Sequence, residues 1–127
     1  MNGERLMKGD DISERLLDFG VRVLKLSSAL PKNYVGRHIA QQLLRCGTAA
    51  GANYEEGRGA ESRADFIHKL GVSWKETREA WYWLRLIHKS ALVKPQRLEH
   101  LLLEVDALAR ILSKSLTTAK GRPKLAT

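Results

Sequence analysis

The chain has 127 residues, 43% hydrophobic and 28% charged, which suits one folded domain with one core and excludes a disordered polyelectrolyte. Its net charge of +8 matches a polyanionic partner or serves solubility alone. One cysteine, Cys46, excludes an internal disulfide and a multi-cysteine metal site and reads as a plain buried thiol. No apolar run reaches the ~18 residues of a membrane span. The first residues lack a signal-type apolar stretch, so a cytoplasmic protein is expected.

Residues 1–9 read as a flexible N-terminus. The first helix is expected over 11–30, with Asp10, Asp11 and Glu14 resembling a capping box. Ile12, Leu16, Phe19, Val23, Leu26 and Leu30 recur at alternating steps of four and three, one inward stripe. Leu17, Val21 and Leu24 form a second stripe beside it. Pro31 ends the helix. The second helix, over 34–57, carries Val35, Ile39, Leu43, Cys46 and Ala50 on one face.

This helix ends in CGTAAGANYEEGRGAES, whose glycines raise the question of a phosphate cradle. A Walker loop needs G-x-x-x-x-G-K-[ST] after a strand, and both spacing and strand are missing. The better reading is packing: Gly47, Ala50 or Gly51, and Tyr54 share a helical face that lets a neighbour approach. Gly57 and Gly59 would then supply a left-handed stop. Glu55 and Glu56 sit where the helix dipole disfavours acids. A cation is therefore expected against them, from Arg58, Arg63 or a neighbouring helix. For Glu56 the expectation is an arginine or the start of helix three.

The third helix, over 62–90, opens with Ser62 and Asp65 in a capping-box pattern. Its stripe is Phe66, Leu70, Trp74, Thr77, Trp81 and Leu84, flanked by Ile67 and Ile87. The adjacent Trp81, Tyr82 and Trp83 point in different directions, and core plus subunit contact is favoured over base stacking. The fourth helix, over 95–119, admits Pro95 in its first turn and runs Leu98, Leu101, Val105, Leu108 and Leu112. Residues 120–127 read as a disordered basic tail. Four helices with short connections predict an all-α, antiparallel up-down-up-down bundle. The surplus apolar stripes call for self-association.

Catalytic and metal chemistry find little support. Di-iron bundles need two Glu-x-x-His motifs, and Asp65-Phe66-Ile67-His68 is one distant imitation; His38, His88 and His100 have no acid at the needed spacing. Cys46 has no adjacent base, and no nucleophile elbow occurs. A non-enzyme without cofactor or metal is expected. Cations, by contrast, run without acids through Arg22, Lys25, Lys32, Arg37 and Arg45, and again through Arg85, Lys89, Lys94 and Arg97. After Asp106 come Arg110, Lys114, Lys120, Arg122 and Lys124. In an up-down bundle the connections after helices one and three lie at one end, where these residues would meet phosphates in a salt-dependent way.

The stretch QQLLRCGTAAGANYEEGRGAESRADFIHKLGVSWKETREAWYWLRLI resembles bacterial proteins encoded in intervening sequences of large-subunit ribosomal RNA genes. Gln42, Leu43 and Arg45, then Asn53, Glu56 and Gly57, carry the first half of the pattern. Ser62, Asp65, Phe66, Lys75, Glu76, Glu79, Tyr82, Trp83 and Leu84 carry the second. Cys46-Gly47 and Arg58-Gly59-Ala60 depart from it. The resemblance implies a left-handed antiparallel four-helix bundle assembling as a homopentamer, with Asn53, Glu56, Gly57, Ser62, Phe66, Lys75, Glu76 and Trp83 in structural roles. The family is similar to the accessory protein of diversity-generating retroelements, a basic pentamer that binds reverse transcriptase and RNA. Two readings follow: an RNA or ribonucleoprotein accessory factor, or an oligomeric scaffold for another protein.

Overall fold

The computed structural model describes residues 9–121. The expected flexible start and basic tail, including Arg122 and Lys124, lie outside them apart from Gly9, Lys120 and Gly121. Four helices make up the described chain, with no strand among those residues: α1 (Asp10–Ala29), α2 (Tyr34–Arg58), α3 (Arg63–Ser90) and α4 (Gln96–Lys120). All four contribute to one buried core. Side chains pair α1 with α2, α2 with α3, α3 with α4, and α1 with α4. The last contact includes a two-pronged Arg15–Glu104 bridge at 2.7 and 3.0 Å.

Local signals set most helix ends. Asn33 caps α2, accepting from the Gly36 amide at 2.9 Å, and Ser62 caps α3, accepting from the Asp65 amide at 3.0 Å. The expected capping box of α1 is absent. Gly9, at φ 89°, stands at the cap, and Asp10 enters the first turn, where its carboxylate meets Arg58. Gly59 does not take the left-handed conformation, having φ −95°, and the left-handed cap falls instead on Ala91 after α3.

The inward stripes of α1 and α4 are those expected, from Leu16 to Leu30 and from Leu98 to Leu112. Two others differ. Val35 is exposed, and Gly36 takes the buried place beside the Pro31 carbonyl. In α3 the buried line is Leu70, Ser73, Thr77, Ala80, Leu84 and Ile87, while Trp74 and Trp81 lie half-buried beside it. Packing against two neighbouring helices explains the shift: small side chains occupy the crowded centre and indoles the margins. The Ser73 hydroxyl donates to the Ala50 carbonyl at 2.7 Å, so a polar group is buried without being orphaned.

The glycine-rich stretch does serve close approach. A Cβ on Gly47 would stand 2.7 Å from Val23 Cγ1, and one on Gly57 would stand 3.2 Å from Lys69 Cβ. A helix-interior glycine costs about 1 kcal/mol against alanine, a cost offset here by the packed neighbour. Glu56 finds its cation at 2.7 Å, a lysine in the second turn of α3, Lys69, rather than an arginine. Glu55 meets Arg58 at 3.2 Å and accepts from the Ser13 hydroxyl. Arg63 goes elsewhere, to the Ala119 carbonyl at the far end of α4.

Candidate nucleic-acid interface

The expected cations fall into three groups. Lys32 lies in the α1–α2 connection, where its ammonium donates to the Ser28 carbonyl; Arg37, in the first turn of α2, donates to the Lys32 carbonyl at 3.1 Å. Lys89, Lys94 and Arg97 lie exposed around the α3–α4 connection. His38, early in α2, meets Trp83, late in α3, edge-on at 6.0 Å. Among the described residues none of these five cations forms an ion pair with a carboxylate. Arg22, half-buried, and Lys25, exposed, lie along the second half of α1. Lys120, also exposed, is the last residue of α4.

Arg45 departs from the set. Its guanidinium spans to α3, reaching Glu76 at 3.2 Å and Glu79 at 2.6 Å, so its charge is matched locally. Glu79 also accepts from the Trp83 indole N–H at 3.0 Å. The expected structural residues Glu76 and Trp83 thus belong to one α2–α3 clasp, whereas Lys75 stands exposed. Asn53 turns back to the Ala49 carbonyl at 2.9 Å, and Phe66 packs half-buried on the core.

The clasp has a pH signature. The Arg45 hydrogen bond, then the Trp83 donor, lowers the Glu79 carboxyl below its ordinary value of 4.5. A carboxyl depressed in the folded state binds fewer protons there than in the unfolded chain. Its stabilisation is complete above the unfolded value and fades as pH falls through the folded one. Thermal melts from pH 7 downward are expected to show declining stability below about pH 4.5, with Glu79→Gln removing part of that decline. An unchanged slope in the variant contradicts the assignment.

Beside the clasp Cys46 is fully buried, and burial pushes its thiol up to about 12. It is a core residue and a poor nucleophile. No group of three or more metal-ligating side chains occurs among the described residues, and none of the described helices is long and apolar enough to cross a membrane.

Arg85 of the expected set belongs to a second cationic surface, with Arg110 and Lys114, in which sequence reading missed Arg78. On α3, the Arg78 guanidinium lies 4.7 Å from the Trp81 ring centre and 6.0 Å from that of Trp74, and Arg85 lies 5.1 Å from Trp81. Arg110 and Lys114 of α4 face them across a groove. The signal was in the spacing: Trp74, Arg78, Trp81 and Arg85 recur at steps of four, three and four, which align on one helix face. Glu76 and Glu79 beside it in sequence hid Arg78 from a search for acid-free runs.

Comparisons place the chain among known proteins. The 23S rRNA-intervening sequence protein family matches residues 10–114. A crystal structure of a protein of unknown function from the S23 ribosomal protein family, from Bacteroides thetaiotaomicron VPI-5482, superposes with a TM-score of 0.75. It is 31% identical, over 83% of this chain and 97% of that one. No functionally curated protein matches. With the match spanning α1 to α3 and most of α4, the chain belongs to the 23S rRNA-intervening sequence protein family.

Proposed function

We propose that the protein is a non-enzymatic, self-associating accessory factor that binds RNA or a ribonucleoprotein in the cytoplasm. The carrying observation is the set of exposed cations that have no carboxylate partner among the described residues, around the α1–α2 and α3–α4 connections: Lys32, Arg37, Lys89, Lys94 and Arg97. An antiparallel up-down arrangement places both connections at one end. Supporting it, Asp10 and Leu16 of α1 lie against Arg58 and Gly51 late in α2, and early α2 touches late α3 through His38 and Trp83. Arg22 and Lys25 extend the surface along α1, and the charge of +8 recurs on every subunit of a ring. The resemblance to the pentameric retroelement accessory protein agrees with this assembly.

Fluorescence anisotropy with a labelled structured RNA, repeated across salt concentrations, tests the reading. Binding at low salt is expected, with log K falling linearly in log salt by about 0.7–0.9 per neutralised phosphate. No binding at low salt, or a salt-independent signal, overturns it.

A protein-scaffold reading draws on the exposed apolar residues Leu17, Val21 and Leu24, at 59%, 45% and 52% exposure. Recovery of one protein partner after nuclease treatment would favour it.

A further inference from the structure

The groove between α3 and α4, about 450 Å³, has Trp74, Arg78 and Trp81 on one wall and Asp106, Arg110 and Lys114 on the other. With Arg85 beside Trp81, four cations face one carboxylate, and that carboxylate is already held by Arg110 at 3.0 Å. The surface is therefore positive and aromatic together. The two indoles also differ from Trp83, whose N–H is taken by Glu79. Among the described residues no protein acceptor takes the N–H of Trp74 or Trp81.

We propose that this groove binds single-stranded RNA, with unpaired bases stacking on the Trp81–Arg78 planes and phosphates held by Arg110 and Lys114; the proposal rests on the RNA-binding reading above and gives it a second surface. Aromatic rings and guanidinium planes offer flat faces to bases that are not already stacked. The free indole N–H groups supply donors to phosphate or base acceptors. In a duplex the bases stack on each other, so only the backbone would touch this groove. An acidic peptide would use the cations and leave the ring planes idle.

Anisotropy with fluorescein-labelled oligouridine and with a labelled RNA hairpin, on the full-length protein, tests the proposal. Arg78→Gln and Trp81→Leu are each expected to weaken oligouridine binding about tenfold while leaving hairpin binding within about twofold of wild type. Lys114→Gln should also lower the salt slope by about 0.7, and Trp81→Leu should not, because stacking releases no counterion. Circular dichroism checks the fold of Trp81→Leu, and the exposed Lys114 and Arg78 variants carry the test if that variant unfolds. Wild-type oligouridine affinity in the groove variants, with weakened hairpin binding in Lys32→Gln/Arg37→Gln, overturns this proposal and leaves RNA binding standing. Absence of binding to either RNA at low salt overturns both. A change in assembly mass with unchanged oligouridine affinity assigns the groove to subunit contact and overturns it as well.

Discussion

Phe19→Ala is expected to lower the unfolding free energy by about 3–5 kcal/mol. Phe19 has no exposed surface and lies in the middle of the α1 stripe, between Leu16 and Val23. Removing the ring forfeits its transfer free energy and leaves a cavity that the rigid neighbours fill only in part. Against a typical domain stability of roughly 5–15 kcal/mol, that is a large share. The melting temperature should fall by about 10–20 °C. Urea unfolding at fixed protomer concentration is the appropriate measurement, since the proposed self-association would make stability concentration-dependent. The midpoint should drop with little change in slope. A loss under about 1 kcal/mol would show that the four-helix core closes over the gap and that α1 is not anchored there.

The same helix shows what sequence patterning reveals and where it stops. The inward stripe of α1 was readable because apolar spacing follows the helical period whatever the helix packs against. The caps of α2 and α3 were readable because Asn33 and Ser62 bond to amides three residues away. The cap of α1 was not, because Asp10 is drawn to Arg58, 48 positions along the chain, and no local rule contains that partner. Arg45 misled for the same reason: its sequence neighbourhood holds no acid, while Glu76 and Glu79 reach it from α3. Trp74 and Trp81 lie at core spacing yet stand at the margin, because the crowded centre of α3 admits only small side chains such as Ser73 and Ala80. Charge that clusters along sequence was therefore visible, whereas charge matched or gathered across helices was not. The Glu56–Lys69 pair falls between these cases, since a cation was required there by the helix dipole but its identity depended on how α3 docks.

A Leu17→Lys/Leu24→Lys variant is expected to remain folded and to lose self-association. Leu17 and Leu24 stand seven residues apart, so both lie on one face of α1. Both are more than half exposed, Val21 between them is 45% exposed, and Leu44 of α2 is 37% exposed. Lysine at such positions leaves the subunit core untouched and costs each subunit little. In the proposed assembly this face is covered by another copy, and the same substitution then places two ammonium groups in a desolvated contact. The effective penalty is several kcal/mol per buried ion, and each 1.4 kcal/mol weakens association tenfold. Two charges per contact suffice to shift an assembly stable at micromolar concentration to monomers. Multi-angle light scattering reads the mass directly, with circular dichroism confirming helix content. An unchanged assembly mass would mean that the subunits meet elsewhere, and would leave Leu17, Val21 and Leu24 as the surface for a different protein. A monomeric wild type would remove the ring from the proposal, and with it the multiplication of +8 on which tight RNA binding by one particle depends.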